Sequence, residues 1–157
     1  MVDLNLDTFF NRVKNVCKNN KLTEFHFKLL HRILVTKKEL SFYGIESDML
    51  CFLCQEPDSI SHTFQNCHWS KHFFDSLKSS SGAIKKMAPL SRLLLLKYCL
   101  VWSKGLPPSR KQVNKKFNYT LLFAKYCLYT QKLLKKEINM KEFIRKLTSK
   151  LQIEKLS

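Results

Sequence analysis

Glycine and proline are scarce, three and four residues among 157, which leaves too little turn chemistry for an all-β fold of many short strands. Long apolar runs are missing too. The longest, LLLLKYCLVW at 93–102, is interrupted by Lys97 and falls far short of the roughly 20 residues a membrane span requires. Acidic residues are few, and no two are adjacent; the five aspartates, Asp3, Asp7, Asp48, Asp58 and Asp75, are dispersed. The start, MVDLNLDTFFNRVKN, has neither the basic opening nor the apolar run and small-residue cleavage site of a secretory signal. Together these absences predict an intracellular protein with no membrane association, whose thiols stay reduced and form no disulfide framework.

Positive charge is abundant: 28 Lys and Arg against 12 Asp and Glu give +16. Residues 1–50 carry +2, residues 51–80 carry −1 and residues 81–157 carry +15. A field of that size, concentrated in one half of the chain, favours a polyanion, most simply nucleic acid, over a plain solubilising surface. Lysine dominates, which suits contact with phosphates better than bidentate reading of bases. The candidate phosphate contacts are Lys85, Lys86, Arg110, Lys111, Lys115, Lys116, Lys135, Lys136 and Arg145. Lys132 belongs with Lys135 and Lys136 at a basic helix end, and Tyr119, Tyr126 and Tyr129 are candidates for stacking on bases.

Apolar residues recur at helical spacing almost throughout. Phe9, Phe10, Val13, Val16 and Cys17 mark one helix, and Leu22, Phe25, Leu29, Leu30, Ile33 and Leu34 a second. Thr36 and Glu39 form a capping box for a short third helix that ends near Gly44. A helix is predicted from about Ser61 through Leu77, and another from Leu90 to Ser103. A basic loop is predicted over 104–116, followed by a long helix from about Asn118 to Lys136. Asn139 and Glu142 form a second capping box before the last helix. The predicted fold is all-α, a small helical domain with one zinc-stapled loop. The chain divides into an N-terminal helix or linker (1–20), a zinc-binding helical domain (21–80) and a basic helical region packed on it (81–157).

The loop is CFLCQEPDSISHTFQNC, residues 51–67. Its Cys51, Cys54, His62 and Cys67 supply four soft ligands at C-x2-C-x7-H-x4-C spacing, a Cys3His set suited to tetrahedral Zn²⁺. Four protein ligands leave no position open for a reactive water, so the metal is structural. A rival set takes His68 and His72 with Cys51 and Cys54, but it leaves Cys67 idle and puts Asp58 and Gln65 where a two-Cys, two-His finger packs apolar residues. A redox Cys-x-x-C would want a βαβ unit, which is absent from the pattern. Cys17, Cys99 and Cys127 lie on apolar helical faces and read as inert buried thiols.

The segment from Phe25 to Phe74 resembles the zinc-binding domain that follows the reverse transcriptase of LINE-type (non-long-terminal-repeat) retrotransposons. The residues that carry the resemblance are Leu30, Ile33, Thr36, Leu40, Gly44, Ile45, Cys51, Cys54, His62, Cys67 and Trp69. FNYTLLFAKYCLYTQKL at 117–133 resembles the basic, aromatic helix near the C-terminal end of such polyproteins. The likeness spans roughly 22–135. It departs from the family in lacking the paired carboxylates of the polymerase, and DSIS stands at 58–61 where a Glu-Thr is common. The resemblance implies a C-terminal polyprotein segment, standing alone or as a fragment, that helps hold template RNA or target DNA. It implies a non-catalytic, zinc-binding, nucleic-acid-binding domain that works beside the reverse transcriptase portion of a parent polyprotein. The alternative is a protein-interaction module whose basic helices dock on an acidic partner or on the rest of that polyprotein.

Overall fold

The computed structural model describes residues 17–80 and 108–154, with the side chains of 78, 80 and 108–114 outside the description. The helices expected over 9–17 and 90–103, together with Lys85, Lys86 and Cys99, therefore lie outside it, apart from Cys17. Among the described residues there is no strand. The elements are α1 (Asn20–Leu30), α2 (Lys37–Phe42), a π-helical turn (His62–Asn66), α3 (His68–Ser80), α4 (Pro108–Leu133) and α5 (Met140–Ile153). The fold is a small all-α domain carrying a Cys3His cluster. No helix among the described residues is long and apolar enough to cross a membrane.

Helix starts follow local chemistry. Asn19 caps α1 by accepting from the backbone of Lys21 and Leu22, and Asn139 caps α5 by accepting from Lys141 and Glu142. The capping box at Thr36 and Glu39 is present. At Asn139 the box is incomplete, because the Glu142 carboxylate turns instead to Lys146, one turn along, at 2.6 Å.

Three helices end in one way. After α1, Ile33 donates to the Lys28 carbonyl and Arg32 to Leu29. After α2, Ile45 donates to Leu40 and Gly44 to Ser41, and after α4, Lys136 donates to Gln131 and Lys135 to Lys132. Each is a Schellman closure that needs one left-handed residue. Gly44 (φ 69°) takes it without cost, whereas Arg32 (φ 56°) and Lys135 (φ 53°) do not. Lys135→Gly is therefore expected to raise stability by up to about 1 kcal/mol. Gly44→Ala should lower stability by about 1 kcal/mol through the backbone alone, since nothing lies within 4 Å of the added Cβ. Paired thermal melts would show the opposite signs.

Two expected boundaries are corrected. Helix α4 begins at Pro108, so Arg110, Lys111, Lys115 and Lys116 sit on its first turns and not in a loop. Proline is favoured at a helix start because its missing N–H would be unpaired there anyway. The helix expected to run unbroken from Ser61 is interrupted at Cys67 by the π-helical turn.

Helix α4 runs through the middle of the core. Every residue from Phe117 to Lys125 is buried, as for a helix surrounded by partners and unlike an amphipathic surface helix. Phe25 of α1 meets Tyr126 and Tyr129 of α4 at 5.5 and 5.6 Å, and Phe64 of the π-helical turn at 6.4 Å. Phe143 of α5 lies 5.2 Å from Phe73 of α3 and 5.8 Å from Phe123. Glu154 accepts from the Lys18 backbone, joining the end of α5 to the start of α1. One core thus spans both described segments.

Candidate metal centre

The loop between α2 and α3 folds back on itself at Leu50 and Pro57, paired as an isolated antiparallel bridge. Cys51 donates its backbone N–H to Glu56 at 2.7 Å, Gln55 to Cys51 at 2.9 Å and Asp58 to Met49 at 2.8 Å. This knuckle points Cys51 and Cys54 to one side. The other two ligands come from the π-helical turn, closed by the Cys67 N–H on the His62 carbonyl at 2.8 Å. In an α-helix, residues five apart diverge by about 140°. Widening the turn to i→i+5 sets the two nearly above one another. Trp69 anchors the far side, its indole N–H donating to the Leu53 carbonyl of the knuckle at 2.9 Å.

The ligand atoms of Cys51, Cys54, His62 and Cys67 all lie within 4.8 Å of one another, the sole such group among the described residues. Cys54 Sγ stands 3.1 Å from His62 Nε2 and 3.8 Å from Cys67 Sγ. Metal–sulfur bonds of about 2.3 Å in a tetrahedron give sulfur–sulfur edges of about 3.8 Å, so the spacing fits a small tetrahedral cation. Backbone N–H groups of Leu53, Glu56 and Ser70 approach Cys51, Cys54 and Cys67 respectively, each favouring the thiolate. A hydrogen bond from Cys51 holds the Cys67 thiol down at about 6, and the same bond, aided by burial, pushes Cys51 up to about 11. Burial raises Cys54, the one half-exposed ligand of the four.

His68 and His72, the rival ligands, are exposed on α3 and outside the cluster. Cys17 and Cys127 are remote thiols that burial pushes up to about 11. Cys17 is fully buried and Cys127 half-buried.

Beneath the centre lies a group that sequence reasoning assigned elsewhere. Lys132 Nζ is 2.6 Å from Asp58 Oδ1 and 3.0 Å from Thr63 Oγ1, and Thr63 donates to the same carboxylate oxygen at 3.0 Å. Both charged residues are buried. Lys132 is therefore no phosphate contact. Burial would lower its ammonium, but the Asp58 hydrogen bond and charge, with lesser contributions from Cys51 and Cys67, raise it above the ordinary value. Its side of the pair is thus intact through neutral pH and is lost only as pH climbs through the raised value. Asp58 looked merely like a wrong residue for a two-Cys, two-His finger; no local signal marked it as a partner for a lysine 74 residues away.

The tyrosines are also corrected. Tyr119 is fully buried, and Tyr126 and Tyr129 pack on Phe25 while the Tyr129 hydroxyl donates to the Val35 carbonyl. Tyr119 offers no face to a base, while Tyr126 and Tyr129 are half-buried. Of the candidate phosphate contacts, Lys116, Lys135, Lys136 and Arg145 are exposed and Lys115 is half-buried. Arg110 and Lys111 have helical backbone on α4, with their side chains outside the description.

Fold and site together define an all-α domain with a Cys3His group able to hold a metal ion. No protein-family model, curated protein or solved structure matches the chain.

Proposed function

We propose that this chain is a non-catalytic zinc-binding domain that binds nucleic acid, of the kind found in the C-terminal part of LINE-type retrotransposon polyproteins. The observation that carries the reading is the convergence of Cys51, Cys54, His62 and Cys67 in a chain of net charge +16. Three thiolates and one neutral imidazole suit Zn²⁺, and with all four positions filled by protein the ion holds the loop together without activating water. Zn²⁺ with three thiolates carries net −1, so attraction for phosphate falls to the exposed lysines. Stacking on bases falls to exposed aromatics, of which Phe42, Tyr43, Phe52 and Trp69 qualify.

Salt dependence tests the nucleic-acid part. Affinity should fall linearly on a log–log salt plot, with a slope of about −0.9 per phosphate neutralised on duplex DNA and −0.7 on single strands. Helical register sets Lys111 and Lys115 on one face and spreads Arg110 and Lys116 to either side. Replacing all four by Gln is expected to flatten the slope by about two units. The control replaces Arg12, Lys14, Lys18 and Lys21. Equal flattening from both sets would mean attraction without a defined surface, and absence of binding at low salt would sink the nucleic-acid reading.

A second reading, docking on a protein such as the remainder of a longer polyprotein, is favoured by an exposed apolar stretch. Phe42 is 75 % exposed, Tyr43 76 % and Ile45 70 %, unusual for large side chains so close in sequence unless a partner covers them. Loss of partner capture on Tyr43→Asp, with salt-insensitive residual binding, would favour it.

A further inference from the structure

We propose that Lys132 is the counter-charge of the Cys3His centre, so that filling the centre with a divalent cation and docking the end of α4 are one coupled event. The inference rests on the metal part of the reading above and not on the nucleic-acid part.

Lys132 lies in the last turn of α4, yet its ammonium enters the loop between α2 and α3, where it meets Asp58 and the hydroxyl of Thr63. Thr63 is the residue next to the ligand His62, and Asp58 sits between the two ligand pairs in sequence. The Asp58 N–H closes the knuckle on Met49, and its carbonyl accepts from Lys38 at 3.2 Å. The backbone that aims the ligands and the ion pair that receives α4 are therefore one structure.

Charge supplies the second step. A filled Cys3His centre with Zn²⁺ carries net −1, and Asp58, in the same loop, adds another negative charge. Without Lys132 the buried Asp58 carboxylate would lose its ion-pair partner and stand uncompensated in the loop that carries the anionic centre. The Lys132 charge also acts on both Cys51 and Cys67, more weakly than their own hydrogen bonds and burial do. It thus opposes two negative groups with one positive charge. Outer groups of this kind tune metal sites, and their loss lowers affinity by roughly 10–100-fold.

A simple staple between helix and loop makes a different prediction from a counter-charge. Lys132→Met and Asp58→Asn break the same ion pair, so a staple would lose the same amount from either change. A counter-charge gives opposite signs. Lys132→Met leaves Asp58 facing an anionic centre, whereas Asp58→Asn leaves the ammonium to the sulfurs alone.

The experiment is Zn²⁺ affinity of the full chain by chelator competition, repeated with Co²⁺ to follow the thiolate absorption bands. Lys132→Met is expected to bind roughly 10–100-fold more weakly, Lys132→Arg close to wild type, and Asp58→Asn as tightly as wild type or more so. Hydrogen exchange with and without Zn²⁺ should show metal protecting amides around residues 128–134 in wild type and not in Lys132→Met. Should Lys132→Met fail to fold, the Asp58→Asn/Lys132→Met double variant removes both charges and should bind Zn²⁺ more weakly than Asp58→Asn alone; equal binding by the two would overturn the proposal. Equal losses from Lys132→Met and Asp58→Asn, or metal-independent exchange at the end of α4, would overturn the proposal while leaving the metal site standing. Failure of the wild-type chain to bind Zn²⁺ or Co²⁺ would overturn the metal reading and this inference with it.

Discussion

Cys51→Ser is expected to yield protein that retains no zinc and has lost ordered structure over residues 45–75. The four ligands share one small pocket, and between Leu50–Pro57 and His62 little regular structure holds the chain apart from them. A structural zinc site contributes roughly 10–16 kcal/mol of binding energy to folding, comparable with the total stability of roughly 5–15 kcal/mol of an ordinary domain. Cys67→Ser should be as damaging, because Cys67 sits in the pocket within 3.8 Å of Cys54 and is fully buried. His68→Ala and His72→Ala should keep their metal, since both side chains are exposed and outside the cluster. Metal content by mass spectrometry and far-UV circular dichroism would check all four. Release of metal from the histidine variants with retention in Cys67→Ser would reverse the ligand assignment.

Phe25→Ala should be the most damaging substitution away from the metal. Its ring touches Phe64 beside the metal loop and both Tyr126 and Tyr129 on α4. Emptying that position should cost about 3–5 kcal/mol, the range for deleting a buried phenyl ring. Because the ring joins α1, the π-helical turn and α4, the loss should appear as one cooperative transition moved to lower denaturant with its slope unchanged. Two separated transitions in the wild-type chain would mean that residues 17–80 and 108–154 fold apart, against the shared core.

The sequence carried the local decisions. Asn19, Thr36 and Asn139 act at helix starts because a side-chain oxygen within three residues can take a backbone N–H, an interaction needing no distant partner. Gly44 ends α2 for an equally local reason, its freedom at positive φ. Four metal-type ligands within 51–67 were likewise legible, since the ligands of such a site lie close along the chain. Contacts across the fold decided the rest. The tyrosines of 119–129 have one composition whether they face solvent or core, and only the packing around α4 buries Tyr119 and half-buries Tyr126 and Tyr129. Nothing in helical spacing distinguishes Lys132, sealed against Asp58, from Lys135 and Lys136, which remain in solvent three and four residues later. The wide turn that aligns His62 with Cys67 also has no sequence period of its own, because the geometry that four ligands share favours it over the regular helix. Local hydrogen bonding reads out from neighbours along the chain, whereas burial and charge pairing depend on residues 69 to 74 positions away, and the fold alone brings these together.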